Sequence, residues 1–204
     1  MPKLTYVLKG IKSSQSKDSA SKTKTRLPIT PKILQELQLA FHNPSFDNVM
    51  LWAASLTCFF GFLRSGEITV PSPSCFDPSA HLCLADISVN DAQQLSIIRL
   101  HLKASKTDPF RQGVDVYVGR TGSALCPVAA LLNYLAIRGT NPGLLFHYQD
   151  GAPLTKCKFT SSFRKALSSR GIDSSLYAGH SFRIGAATTA SLNGVEDSMI
   201  QTLG

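Results

Sequence analysis

The sequence predicts an α+β fold, a mainly helical domain with a small antiparallel three-stranded sheet. Two observations support this fold class. Apolar residues recur at helical spacing in the first and last thirds of the chain, and the period changes to two between residues 82 and 118. A length of 204 residues is enough for one domain with a sizeable core. Helices packed around a small sheet form such a domain.

Each helix is predicted from a start signal and an apolar face. The first is predicted at Thr30-Pro31, where the hydroxyl caps the helix and proline occupies its first position. The second, from about Asp47 to Leu63, is apolar nearly all round and is therefore expected at the centre of the core. Later helices are predicted over Pro127–Arg138, from Thr155 to just before Gly171, from about His180 to Leu192, and onward from Glu196.

Alternation of apolar and polar residues predicts the sheet. Two runs show it on either side of the turn sequence DPFRQG, with the apolar positions Ile98, Leu100 and Leu102 in one and Val114, Val116 and Val118 in the other. This pattern predicts a β-hairpin with one apolar and one polar face. A third strand is predicted near Leu82–Ile87.

The positive charge is concentrated at the N-terminus. The formal net charge is +8, and residues 1–26 carry +6 of it in a Ser-, Lys- and Thr-rich stretch. We interpret residues 1–26 as a basic flexible tail or linker remnant and residues 27–204 as the folded domain. Such a tail suits contact with a polyanion such as nucleic acid, and it equally suits a solvated linker.

Composition excludes several classes of protein. No apolar run approaches the roughly 20 residues of a membrane span, and the N-terminus has no apolar leader. The five cysteines form no C-x-x-C pair, and the histidines lack metal-ligand spacing. We therefore expect an intracellular, reducing compartment, no metal and no membrane partner.

Three separated motifs carry candidate anion-binding side chains. His180 and Arg183, in GHSFRIGAATTA, lie three residues apart on one face of a helix start, where both can reach one phosphate. Arg64 lies in GFLRSGE and Lys106 in ASKTDPFRQG. Each has an ordinary structural interpretation, as a helix-capping residue, a hairpin lysine or a member of an ion pair. Their order and flanking residues favour a shared site.

These motifs resemble the catalytic domain of tyrosine recombinases of the phage-integrase type. The resemblance covers residues 27–204 through FFGFLRSGEI, LKASKTDPFRQG, LCPVAALLNYL, and GHSFRIGAATTA followed by GVEDSMIQTLG. It is strongest to the recombinase-like reading frames of Crypton and DIRS mobile elements. The resemblance implies binding to double-stranded DNA, and strand breakage and rejoining through a 3′-phosphotyrosyl intermediate without metal or ATP. It also implies no cofactor, no small-molecule substrate and possible self-association in a recombination synapse. The expected DNA partner and the basic tail suggest a nuclear location.

The resemblance also assigns catalytic roles. Arg64 and Arg183 take the arginine positions, Lys106 the hairpin lysine and His180 the histidine. Two guanidinium groups suit the non-bridging oxygens of a phosphoryl-transfer transition state. A lysine suits proton donation to the leaving oxygen, and a histidine can hold or move a proton near neutral pH.

Other residues are expected to support this site. Glu67, three residues after Arg64, is placed to orient that arginine or His180. Lys103, Lys106 and Arg111 are predicted to bind DNA from the hairpin.

The nucleophile is expected to lie outside this sequence. Tyrosine recombinases continue past the equivalent of Gly204 to their nucleophilic tyrosine, and none of the five tyrosines here occupies that position. The chain is therefore interpreted as C-terminally truncated and inactive in cleavage as written. The alternative is a decayed or domesticated copy that binds DNA without cleaving it.

Overall fold

The computed structural model describes residues 26–90, 96–103 and 112–203. Within these ranges the α-helices, in chain order, are α1 (Pro31–Ala40), α2 (Phe46–Phe60), α3 (Ser65–Ile68), α4 (Pro127–Arg138), α5 (Lys156–Ser169), α6 (Ser181–Leu192) and α7 (Asp197–Leu203). The strands are β1 (Ile87–Val89), β2 (Ile97–Leu102) and β3 (Val114–Gly119). The mainly helical α+β fold with a small sheet is confirmed. No described helix is long and apolar enough to span a bilayer.

The sheet is antiparallel with the order β1-β2-β3. Ile98 lies opposite Val118 and Leu102 opposite Val114, as expected for the predicted hairpin. Ile98, Leu100, Leu102 and Val118 are buried, so the predicted apolar face is confirmed at these positions, whereas Val114 at the start of β3 is 46% exposed.

The third strand begins later than its predicted span near Leu82–Ile87. Leu84–Asp86 form a 3₁₀ turn, and β1 starts at Ile87. The carboxylate of Asp86 accepts a hydrogen bond from the Cys83 N–H at 2.7 Å. Such a local side-chain bond competes with strand pairing, and the sequence pattern did not reveal it.

Helix α2 forms the centre of the core, as its apolar composition predicts. Its residues from Met50 to Phe59 are buried apart from the half-buried Trp52. The hydroxyls of Ser55 and Thr57 donate to the carbonyls one turn earlier, at 2.7 and 2.8 Å. These bonds satisfy the polar atoms that burial would otherwise leave unpaired.

Helix α2 ends at Phe60, earlier than the predicted Leu63. Gly61 caps it, and Phe62 adopts a left-handed conformation with φ 54°. The chain reverses there and begins α3 with Arg64 at the N-cap position. Arg64 therefore precedes a new helix, and its interpretation as a C-terminal cap of the long helix is wrong.

Residues 26–30 form a short extended segment that we call the strap. Its Leu27 and Ile29 N–H groups donate to the carbonyls of Leu176 and Ser181, both at 2.9 Å. Gly185 of α6 lies against the Ile29 backbone so closely that a Cβ there would overlap the Ile29 carbonyl. The strap thus fixes the first turns of α6 against the rest of the domain.

Candidate phosphate-binding site

Arg64 is held at the start of α3 by Glu67. The Glu67 carboxylate accepts the backbone N–H of Arg64 at 2.7 Å and lies 3.3 Å from its guanidinium Nη1. The Glu67 side chain is only 9% exposed, whereas that of Arg64 is 29% exposed. The buried carboxylate therefore fixes both the backbone and the guanidinium of Arg64 and leaves part of the guanidinium open to a ligand.

Arg183 reaches the same region from the first turn of α6. Its Nη1 donates to the carbonyl oxygen of Phe62 at 3.0 Å, across 121 positions of the sequence. Phe62 lies two residues before Arg64, so this bond brings the two guanidinium groups to the same chain reversal.

His180 occupies the N-cap position of α6, with no hydrogen bond from its side chain to the helix N-terminus. The preceding turn is closed by Ser181, whose buried hydroxyl accepts the Ala178 N–H at 3.0 Å. Next to it, Gly179 lies against the Ser65 side chain in a contact that leaves no room for a Cβ. His180 is therefore placed beside the start of α3, which carries Arg64.

An aromatic cluster anchors this end of α6 to α5. Phe182 lies between His180 and Arg183 in sequence, and its ring centroid is 5.5 Å from that of Phe159 and 5.3 Å from that of Phe163. All three rings are fully buried. Because the ring of Phe182 is packed in the core, the first turn of α6 is fixed, and with it the orientation of His180 and Arg183.

The electrostatics of the site are those of a cationic cluster. Partial burial, then the positive charges of Arg183, Arg64 and Lys156, lower the pKa of His180 from its ordinary value of 6.5. Burial and the charge of Arg64 also lower the pKa of Arg183, and the charge of Glu67 opposes this effect. An arginine remains protonated in proteins, so two repelling guanidinium groups are kept together with one nearby carboxylate. A bound anion would relieve this repulsion.

The hairpin residues are placed only in part. Lys106 and Arg111 lie outside the described residues, so their predicted roles stay predictions. Lys103 forms an ion pair with Asp86 at 2.7 Å and donates to the Pro78 carbonyl at 2.7 Å. These contacts give Lys103 a structural role in fastening the hairpin to the 3₁₀ turn before β1.

The described tyrosines lie in four different settings. Tyr134 is fully buried, donates its hydroxyl proton to the Leu145 carbonyl at 2.9 Å, and has a pKa raised to about 12, chiefly by burial. Tyr177 is 5% exposed, and burial raises its pKa. Burial also raises the pKa of Tyr148, whose ring lies 4.9 Å from the Lys158 ammonium. Tyr117 is exposed on β3.

Sequence reasoning missed Lys156, which acts electrostatically on His180. Lys156 is the first residue of α5, and its N–H donates to the Val70 carbonyl at 3.1 Å. A single lysine at a helix start belongs to no motif, so only the packing of α5 beside α3 reveals it. Within the described ranges, no group of three or more His, Cys, Asp or Glu side chains is arranged to hold a metal ion.

No protein-family model and no curated protein sequence matches this chain. Solved structures do match it in three dimensions. The XerH site-specific recombinase in a pre-cleavage complex with its difH substrate aligns with a TM-score of 0.63 at 14% identity, covering 88% of this chain and 47% of that one. The XerA recombinase aligns with a TM-score of 0.62 at 19% identity, covering 91% of this chain and 56% of that one.

A lambda integrase dimer bound to a COC′ core site aligns with a TM-score of 0.58 at 18% identity, covering 93% of this chain and 47% of that one. The chain therefore spans about half the length of these proteins. At such low identities the likeness shows the fold alone. That fold is the one of the tyrosine-recombinase catalytic domain.

Proposed function

We propose that this chain binds duplex DNA by holding a backbone phosphate between Arg64 and Arg183, as the phosphate-binding domain of a site-specific recombination enzyme. The observation that carries the proposal is the convergence of these two arginines on one chain reversal through the Phe62 carbonyl. The solved structures with this fold include recombinases in complexes with their DNA sites, which supports the same ligand here.

The geometry suits a phosphodiester. Each guanidinium offers a planar fork of donors that can bind two phosphate oxygens, and its charge does not depend on pH in the physiological range. The same pair would stabilise the extra negative charge that develops on the non-bridging oxygens during phosphoryl transfer. Glu67 contacts one of these forks at 3.3 Å and the Phe62 carbonyl accepts from the other, so little reorganisation is needed on binding.

His180 would act next to the bound phosphate as a neutral imidazole. Its lowered pKa favours the neutral form near pH 7, in which one ring nitrogen can accept a proton and the other can donate a hydrogen bond. Lys106 remains our proposed proton donor to the leaving oxygen, on the basis of its motif alone.

A second candidate function, DNA binding without cleavage, is supported by the placement of the described tyrosines. Burial of Tyr134 and Tyr177 raises the pKa of both phenols, which opposes formation of a nucleophilic phenolate. We propose that none of Tyr117, Tyr134, Tyr148 and Tyr177 is the nucleophile. Cleavage by an intact enzyme would need a tyrosine elsewhere, whereas phosphate binding needs only the arginines.

The proposal is tested by duplex affinity in arginine variants. We expect Arg64→Ala and Arg183→Ala each to weaken binding of a short mixed-sequence duplex by about 10- to 150-fold, because a hydrogen bond to a charged group contributes about 1.5–3 kcal/mol. Fluorescence anisotropy at several salt concentrations provides the measurement.

The matched control is Arg170→Ala. Arg170 lies at the C-terminal end of α5, paired with Glu36 at 2.9 Å, and its loss changes the net charge equally. Thermal unfolding of each variant shows whether the fold is retained. Equal affinity of both site variants and the parent at every salt concentration would contradict the phosphate site.

A further inference from the structure

The start of α5 lies beside the proposed phosphate site. The N–H of Lys156 donates to the Val70 carbonyl at 3.1 Å, and Val70 follows α3 by two residues. Thr155 and Val70 also form an isolated parallel bridge. The backbone of the first residue of α5 is thus tied to the segment that carries Arg64.

Side-chain packing shows which residues of α3 and α5 lie next to the turn before α6. The Ser65 side chain lies against Gly179, and a Cβ built on Gly179 would be 3.9 Å from Thr160 Oγ1. Lys156 precedes Thr160 by four residues and therefore lies one helical turn away on the same face of α5, with about 5–6 Å between their Cβ atoms. Lys156 and Arg64 therefore both lie near the Gly179–His180 turn, Arg64 through the neighbouring Ser65 and Lys156 through Thr160.

The electrostatic influences on His180 and Arg183 agree with a position of Lys156 near His180. His180 is influenced by Arg183, Arg64 and Lys156 together, whereas the charges that act on Arg183 are those of Arg64 and Glu67. Among the described residues the Lys156 side chain has no hydrogen-bond or ion-pair partner. Lys156 is exposed.

A groove lies next to Lys156. It has a volume of about 730 Å³ and is lined by Pro71, Lys156, Cys157, Thr160, Ser161 and Arg164. None of these residues is acidic, and hydroxyl groups accompany the two cations. Arg164 is fixed by its Nε, which donates to the Tyr177 carbonyl at 2.6 Å. Most of the groove surface is apolar, so what it adds to the site is the positive charge of Lys156 at its edge and of Arg164 within it.

We propose that Lys156 is a further phosphate ligand of this site, and that its ammonium binds a second phosphate of the DNA backbone, next to the phosphate held by the arginine pair. This inference rests on the proposed function. A flexible lysine suits this position, because a neighbouring phosphate requires a point charge more than a fixed fork. By binding DNA there, Lys156 would fix the direction in which the backbone crosses His180.

The test compares Lys156→Ala with Lys165→Ala. Both substitutions remove one lysine from the exposed surface of α5, but Lys165 lines a different cavity with Ala40 and Asp47, toward α1 and α2. With the full chain and a short mixed-sequence duplex, Lys156→Ala should make the plot of log affinity against log salt shallower by about 0.9, the value expected for one lost phosphate contact. Lys165→Ala should keep the parent slope, and Lys156→Arg should restore it.

A second readout is the NMR titration of His180 in the free protein. Loss of a nearby positive charge should raise the pKa of His180 in Lys156→Ala and leave it unchanged in Lys165→Ala. Thermal unfolding should give the same midpoint for both variants. Equal salt slopes for the two alanine variants would overturn the role of Lys156. If Arg64→Ala still weakens binding in that case, only this inference fails, whereas parent-like affinity in Arg64→Ala as well would remove the proposed function itself.

Discussion

Arg183 and Arg64 are placed by contacts to the backbone and to one buried carboxylate. The Phe62 carbonyl can accept from Arg183 because the left-handed conformation of Phe62 turns the chain back sharply after α2. Such a conformation is uncommon for a bulky residue and persists only when its surroundings maintain it. The reversal and the arginine contact thus depend on each other.

His180 predicts a specific dependence of stability on pH. Its pKa is lower in the folded protein than its ordinary value of 6.5, so between these two values the unfolded chain binds more protons. The contribution of His180 to the free energy of unfolding should therefore decrease as the pH falls below about 6.5 and become constant below the folded pKa.

Urea unfolding at a series of pH values tests this sign. The difference in unfolding free energy between the parent and His180→Gln isolates the contribution of this histidine from those of the other four. As the pH falls from 7.5 to 5, we expect the parent to lose stability relative to the variant, since glutamine does not titrate. A difference that stays constant with pH, or that changes in favour of the parent, would contradict a lowered pKa.

At the scale of elements, the site depends on how α6 is fixed. The strap binds the backbone of its first turn through Ile29 and Ser181, and the ring of Phe182 anchors the same turn to α5. Gly185 permits the close approach of the strap, since a Cβ would overlap the Ile29 carbonyl. Gly185 lies within helix α6 and not in a turn, so a glycine is needed here for the close contact with the strap.

Gly185→Ala should therefore destabilise the domain by about 1–3 kcal/mol, the range typical of overpacking in a well-packed interior. The matched control is Gly66→Ala in α3, where a Cβ would meet nothing within 4 Å. That substitution should be neutral or should stabilise by about 0.4–1 kcal/mol, because it restricts the unfolded chain. Chemical denaturation of both variants gives the values. Equal stability of Gly185→Ala and the parent would show that the strap does not pack as described.

At the scale of the whole molecule, periodicity predicted the main elements well and local reversals poorly. The apolar face of β2 and the start of α4 at Pro127 follow from patterns that hydrophobic burial and proline impose directly. The end of α2 did not follow, because the sequence through Phe62 and Leu63 stays apolar while the chain turns. A non-glycine residue with positive φ gives no compositional signal.

In the candidate site, too, residues within sequence motifs were predicted and residues placed by packing were not. Arg64, Glu67, His180 and Arg183 were predicted as a group, and the structure brings them to one place. Lys156 could not be predicted, because its position depends on the packing of α5 against the Val70 segment. The ion pair of Lys103 with Asp86 could not be predicted either, because it depends on a turn that the strand pattern did not reveal, and the expected contact of Lys103 with DNA stays a prediction.

The central claim is that Arg64 and Arg183 bind the same phosphate, and a double-mutant cycle of duplex affinity tests it most directly. The parent, Arg64→Ala, Arg183→Ala and the double variant would be measured with one duplex at one salt concentration, after thermal unfolding has shown that all four are folded. Groups that share a ligand are energetically coupled, so we predict a departure from additivity of more than about 0.5 kcal/mol. Additive losses, within about 0.3 kcal/mol, would mean that the two arginines bind separate phosphates and would contradict the account.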